Sequence, residues 1–308
     1  MSFTKKKKYG QNFLTSDKFP TRIVGESGID ESDGVLEIGA GFGILTEKLS
    51  AVSKKVVSVE IDTELLPILE EKFADKTNVT FINSDILKVD VKKLMEEHFL
   101  SQNIKSICVC ANLPYYITTP ILEALFESGV KFKSITVMVQ KEVADRICSK
   151  AGSAEYSSFT AYVSYFGKAK RLFVVPPSAF SPPPKVTSAV IQIVPHEIPP
   201  VEPKDKKLFF KVLNGAFENR RKTLVNSLHT AFSGKYSKEI LTEAVETVTG
   251  NKDIRGEALD IVAYSNIADY LYIQDIQNNW FFENIINYTK SKQKFGLLKK
   301  RIINYFMY

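Results

Sequence analysis

The sequence predicts an α/β chain: a Rossmann-like, doubly wound and mostly parallel sheet, followed by a small C-terminal α-helical domain. Three observations carry this expectation. Short apolar runs alternate with helical patterns from Gly34 to Val194. Polar residues terminate most of the apolar runs, as expected where a sheet presents a ligand site along its carboxyl edge. A proline-rich stretch, Pro195–Pro203, then separates this region from a purely helical pattern. At 308 residues and 44% apolar composition the chain is long enough for two domains with full cores. Its formal net charge of +6 favours a polyanionic partner. Cys108, Cys110 and Cys148 form an odd set without metal-ligand spacing, which reads as buried, reduced thiols. The scattered His98, His196 and His229 argue against zinc, so no metal is expected. No apolar stretch reaches membrane-spanning length and no apolar segment follows the N-terminal charges, so the expected location is a reducing cytoplasm without membrane attachment.

The chain opens with Lys5–Lys8, which reads either as a solvated tail or as an arm for phosphates. Gly10–Leu14 alternates polar and apolar groups, as in a loop folded over something. Phe19, Ile23 and Val24 predict a short helix within 17–28, ending near Gly25 or Gly28. Gly34–Thr46 then gives a strand, a glycine turn and a helix start. Gly39, Gly41 and Gly43 are spaced GxGxG and not GxGxxG, and Glu37 stands two residues before the first glycine. An acid there would repel a pyrophosphate but suits a cationic ligand with an amino-acid head, such as S-adenosylmethionine. The strand 55–59 ends in Glu60, placed to accept ribose hydroxyls. Residues 63–75 read as a helix, and 79–82 as a strand followed by Asp85. That acid could hold the ligand's adenine amino group or serve a turn. Residues 89–100 form the next helix.

The apolar run Ile107–Ala111 delivers Asn112-Leu113-Pro114-Tyr115 to a strand end. The Asn112 amide oxygen and the Pro114 carbonyl offer two acceptors for a planar amine, and Tyr115 offers a ring face. This is the expected place for chemistry on an exocyclic nucleobase amine. Thr119 is expected to cap a helix over 120–128, with Pro120 in its first turn. A strand at 135–139 leads into a helix bearing Lys141, Arg146 and Lys150, which read equally as phosphate contacts or a solvated face. Residues 159–166 are helical. In the segment 174–186 five prolines stiffen a loop that is expected to present Phe180 for base stacking or to anchor itself through that ring. Residues 187–194 form a closing strand. From Lys204 an apolar stripe (Leu208, Phe209, Val212, Leu213) marks a helix that is expected to continue through Arg220-Arg221-Lys222, at least one of which would reach phosphate. Helices at 240–248 and 258–271 complete a domain over 204–273 after a first domain over 1–198. Residues 274–308, with Trp280 and Lys299-Lys300-Arg301, read as an added helix or a basic tail.

Taken together, YGQNFL, EIGAGFG, Glu60, Asp85, NLPYYITTP, AFSPPPKVTSAV, FENRRKTLVNSL and GNKDIRGEAL resemble the KsgA-type rRNA adenine dimethyltransferases, kin to the Erm methyltransferases. The resemblance runs from Tyr9 to about Leu271. It implies a seven-stranded class I S-adenosylmethionine-dependent methyltransferase sheet. It also implies that Asn12, Leu14, Gly39, Gly41, Glu60, Asp85 and Asn112 contact S-adenosyl-L-methionine. Asn112, Pro114, Tyr115 and Phe180 would act on a flipped adenine. Phe180 with Tyr115 or Tyr116 would sandwich the base, and Arg220, Arg221 and Lys222 would bind RNA. The implied substrate is a pair of adjacent adenines in a hairpin loop near the 3′ end of small-subunit rRNA, within an assembling small ribosomal subunit, and the expected enzyme is a monomer. An Erm-like enzyme of large-subunit rRNA and a non-catalytic assembly factor are the competing expectations.

Overall fold

The structure, a computed structural model, describes residues 12–277. Lys5–Lys8, Trp280 and Lys299-Lys300-Arg301 therefore lie outside the described residues. Backbone contacts divide the chain into two compact units between Pro199 and Pro200, inside the proline-rich linker.

The first unit starts with a short strand β1 (Phe13–Leu14) and a helix α1 (Lys18–Ser27), which stops where Gly28 turns left-handed at φ 72°. Strands β2 (Gly34–Ile38), β3 (Lys55–Glu60), β4 (Val79–Asn83), β5 (Ile107–Asn112) and β6 (Ser134–Gln140) follow. Helices α2 (Ile44–Val52), α3 (Leu66–Lys72), α4 (Val91–His98) and α5 (Thr118–Glu127) connect them in turn. These five strands are parallel neighbours wherever they pair. Helices α6 (Lys141–Ile147) and α7 (Ser158–Phe166) lead into β7 (Gly167–Val175), and β9 (Ser188–Pro195) runs antiparallel between β6 and β7. The sheet has seven strands in the order β4-β3-β2-β5-β6-β9-β7. The central strands are apolar on both faces because both are covered. Leu36, Val109, Val137 and Ile191 pack beneath Met95, Ile121, Leu122 and Val163. On the opposite face Val35, Val56, Cys110 and Val190 meet Ile23, Val24, Leu45 and Leu49.

Strand β7 was not expected from the sequence. Lys168, Lys170 and Arg171 are exposed, and a bulge between Arg171 and Phe173 breaks the two-residue alternation. An edge strand tolerates such charges, and they blunt pairing with other chains. The helix after Tyr115 also begins earlier than expected. Ile117 is its N-cap, and neither Thr119 nor any other side chain caps it.

In the second unit, α8 (Lys206–Glu218), α9 (Leu224–Ala231), α10 (Lys238–Thr249) and a helix over 261–277 bury one face each. Asp205, Thr223 and Ser237 cap the first three with their side chains. Arg220-Arg221-Lys222 lies in the turn between α8 and α9, so the expectation of a continuous helix there is corrected. The turn satisfies itself locally, with the Lys222 N–H donating to the Asn219 carbonyl at 2.9 Å.

Candidate active site

The carboxyl ends of β2, β3 and β5 border an open cleft, the kind of place where α/β sheets take ligands. Its floor is the glycine turn after β2. Gly41 sits at φ 57° and a Cβ there would lie 3.0 Å from the Phe13 ring. Gly43, at φ 75°, starts α2, and a Cβ there would come within 2.6 Å of Phe73. The turn therefore needs glycine for backbone conformation and for close packing at once. Phe13 and Phe42 meet above it with ring centroids 4.5 Å apart.

Glu60, at the end of β3, is 5% exposed and lines the cleft. It accepts the Gly41 N–H at 3.0 Å and the Asp62 N–H at 2.9 Å. Burial raises its pKa above the usual carboxylate value, against the pull of these backbone donors. These bonds leave acceptor capacity on the carboxylate for further donors.

Asn112 ends β5 beside Gly39. Its Nδ2 donates to the Asn12 carbonyl at 3.4 Å, which commits the amide nitrogen and leaves Oδ1 as an acceptor. The Pro114 carbonyl is already engaged. It takes the Ile117 N–H at 3.2 Å and the Thr118 hydroxyl at 3.3 Å, closing the turn that follows. Among the described residues the neighbouring Leu113 carbonyl accepts no hydrogen bond, while its N–H is held by the Met138 carbonyl. At this strand end, Asn112 Oδ1 and the Leu113 carbonyl are the acceptors left open among the described residues. Pro114 fixes the turn that aims them, and the sequence reading missed Leu113 because backbone carbonyls leave no trace in side-chain identity. Tyr115 lines the same end of the cleft with its hydroxyl bonded to Ser188 Oγ at 2.5 Å. Burial raises its pKa.

The structure thus gathers Asn12, Leu14, Gly39, Gly41, Glu60, Asn112, Pro114 and Tyr115 around one cleft. Phe13, Phe42 and Ile61 join them, and their only sequence signal was adjacency to the polar motif residues. Asp85 is not part of this lining. It follows β4 and caps a short 3-10 turn, accepting the Leu87 N–H at 3.1 Å. Glu37 does not line the cleft either. It is fully buried under α2, where the Thr46 hydroxyl donates to it at 2.6 Å, which corrects its assignment to an amino-acid head group.

Of its two expected roles, Phe180 takes the anchoring one. The proline-rich loop buries its ring, which is 3% exposed and packed with Leu14, Phe173 and Val175. The strand β8 (Phe180–Ser181) pairs with β1, Leu14 opposite Phe180, and Thr15 donates twice to the Ala179 carbonyl. The loop therefore clamps the Asn12–Leu14 strap. Swinging the ring out would cost about 1.5–3 kcal/mol of apolar burial, which offsets the roughly 1–3 kcal/mol that stacking on a base returns. Tyr116, 59% exposed, is the open aromatic of the NLPYY segment. In the second unit Arg221 and Lys222 are exposed, whereas Arg220 reaches Glu257 at 2.8 and 3.1 Å.

Comparison with known proteins agrees with this architecture. The sequence model of the family described as ribosomal RNA adenine dimethylase matches residues 2–267. The ribosomal RNA small subunit methyltransferase A of Shouchella clausii is 44% identical over 270 residues, spanning 88% of this chain and 90% of the relative. The protein of the same name from Caldanaerobacter subterraneus subsp. tengcongensis is 45% identical over 268 residues, spanning 87% and 97%. A solved dimethyladenosine transferase from Plasmodium falciparum matches with TM-score 0.69 and 25% identity, over 83% of this chain and 95% of its own. The 23S rRNA methyltransferase ErmE, 22% identical with TM-score 0.64 over 84% and 99%, shares the fold. The sheet is the seven-stranded Rossmann-like sheet of the S-adenosylmethionine-dependent methyltransferases. The chain belongs to the ribosomal RNA adenine dimethylase family.

Proposed function

We propose that this protein uses S-adenosyl-L-methionine to dimethylate the exocyclic amino groups of two adjacent adenines in a 3′-terminal hairpin loop of small-subunit rRNA. It would act as a cytoplasmic monomer on the assembling small ribosomal subunit. One observation carries the reading: the Asn112 amide has its nitrogen committed to Asn12 and its oxygen left open, beside a Leu113 carbonyl with no hydrogen bond among the described residues. Two acceptors at one strand end fit the two hydrogens of an adenine amine.

The cleft residues fit the methyl donor. Glu60 offers carboxylate lone pairs to ribose hydroxyls, and the glycine turn brings backbone close without side chains in the way. S-adenosylmethionine, when bound, supplies a methyl group on a positively charged sulfur. The chain's own part is positioning. An adenine amine is a poor nucleophile because its lone pair is delocalised into the ring. Hydrogen bonds to Asn112 and Leu113 favour a pyramidal nitrogen and aim the lone pair, which is near-attack positioning without a strong base. Tyr115 supplies a ring beside these acceptors. A base in a loop costs less to extrude than one in a stack. After one transfer the amine retains one hydrogen, so the second round is held by a single acceptor.

Asn112→Ala is expected to keep S-adenosylmethionine affinity within about ten-fold while abolishing methyl transfer, because it removes an interaction specific to the reacting amine. The check is a filter assay with labelled methyl donor and unmethylated small subunits. Near wild-type turnover would exclude this mechanism. The Erm-type reading is separated by offering large-subunit rRNA in parallel and mapping the modified adenines by primer extension. The names of the curated relatives favour the small subunit.

A further inference from the structure

The Tyr115 hydroxyl is bonded to a residue outside the cleft lining. This partner, Ser188, is fully buried. Ser188 is the first residue of β9, held in register between Gln140 of β6 and Val175 of β7. Tyr115, by contrast, belongs to a three-residue 3-10 turn, an element with weak hydrogen-bond geometry of its own. The bond at 2.5 Å ties the aromatic of the NLPY segment to the rigid antiparallel half of the sheet. We propose that Ser188 is a positioning residue for methyl transfer: its hydroxyl holds the Tyr115 phenol so that the ring, and not the hydroxyl, faces the acceptors at Asn112 and Leu113. This rests on the reading that a base amine is held there. With the hydroxyl engaged and its pKa raised by burial, Tyr115 remains a neutral surface and takes no proton from the reacting amine.

The arrangement follows from placement more than from local sequence. Ser188 lies 73 residues from Tyr115 in the chain. Only the insertion of β9 between β6 and β7 brings it beside the turn. Removing the Tyr115 hydroxyl deprives the fully buried Ser188 of this partner, and removing that of Ser188 deprives the half-buried Tyr115, so the loss is felt most on the Ser188 side.

The test measures kcat and KM for unmethylated small subunits, with S-adenosylmethionine affinity measured separately by titration. Ser188→Ala is expected to lower kcat/KM about ten-fold, the scale of one hydrogen bond that fixes a contact residue, and to leave methyl-donor affinity within about two-fold. Tyr115→Phe should match it, and the double variant should be no worse than either single one, because all three remove the same bond. Ser188→Thr keeps the hydroxyl and should restore most of the activity. A Ser188→Ala protein with reduced thermal stability but unchanged kcat/KM would overturn the proposal, as would effects that multiply in the double variant. Should Ser188→Ala fail to fold, Tyr115→Phe against Ser188→Thr decides: loss in the first with retention in the second supports the role, and a wild-type Tyr115→Phe overturns it. A wild-type protein that transfers no methyl group to small subunits would instead sink the underlying functional reading.

Discussion

At the scale of single residues, Glu37 shows how a motif position can be recognised in sequence and still be misassigned. It stands before the glycine turn and invites a ligand role, yet its side chain lies wholly inside the protein. One oxygen accepts the Thr46 hydroxyl, and among the described residues Oε1 finds no partner in hydrogen-bond geometry, although the Ser58 hydroxyl is near. Burial pushes its pKa up to about 7, with the Glu60 charge acting in the same direction. A carboxyl group whose folded-state value exceeds the unfolded value of 4.5 holds its proton more tightly when folded. The stability this contributes is complete below the unfolded value and is lost as pH rises through about 7. Glu37→Gln keeps an acceptor for Thr46 and removes the titration. The variant should therefore gain stability relative to wild type between the two values, levelling off at an advantage of up to about 3 kcal/mol. Denaturant unfolding across that pH range measures it; a difference independent of pH would show that Glu37 is not the group holding the proton.

At the scale of elements, the cleft depends on pieces that sequence periodicity registers poorly. The strap Asn12–Leu14 is held by β8 of the proline-rich loop, a pair of two-residue strands with no periodic signal at all. The glycine turn was legible because positive φ selects glycine, and the structure adds the packing reason. At Gly43 a methyl group would collide with Phe73 and Leu69, both from the α3 region. Gly43→Ala combines this overlap with a left-handed backbone and is expected to destabilise the protein by about 2–4 kcal/mol. Thermal unfolding monitored by circular dichroism would detect it, and a loss under roughly 0.5 kcal/mol would mean that Phe73 moves aside freely. Strand β7 was missed for the opposite reason: its lysines and its bulge imitate a loop, while its position at the sheet edge makes both tolerable.

At the scale of the whole molecule, the net charge of +6 raises the question of which cations are free to meet a polyanion. In the second unit Arg220 is engaged by Glu257, whereas Arg221 and Lys222 project from an exposed turn. Replacing Arg221 and Lys222 together by Gln is expected to weaken binding to small subunits and to reduce the slope of log affinity against log salt by about 1–2. Arg220→Gln should leave that slope nearly unchanged and alter stability by no more than about 1 kcal/mol, as befits an exposed ion pair. Filter binding at several salt concentrations distinguishes the two sets. An unchanged slope in the double variant would assign Arg221 and Lys222 to the solvated surface.

The sequence by itself determined the α/β class, the parallel half of the sheet, the linker, and the residues Gly39, Glu60 and Asn112 on which the cleft is built. These features are local: hydrophobic periodicity, glycine at positive φ, and polar residues at strand ends are written within a few residues of one another. Only the tertiary structure decided that Glu37 and Phe180 are interior. It also decided that the Leu113 carbonyl, and not that of Pro114, is open, and that Ser188 meets Tyr115. Burial and hydrogen-bond saturation depend on what the rest of the chain places opposite a residue, and here that partner lies across the sheet or a turn away in backbone geometry that side-chain identity does not encode.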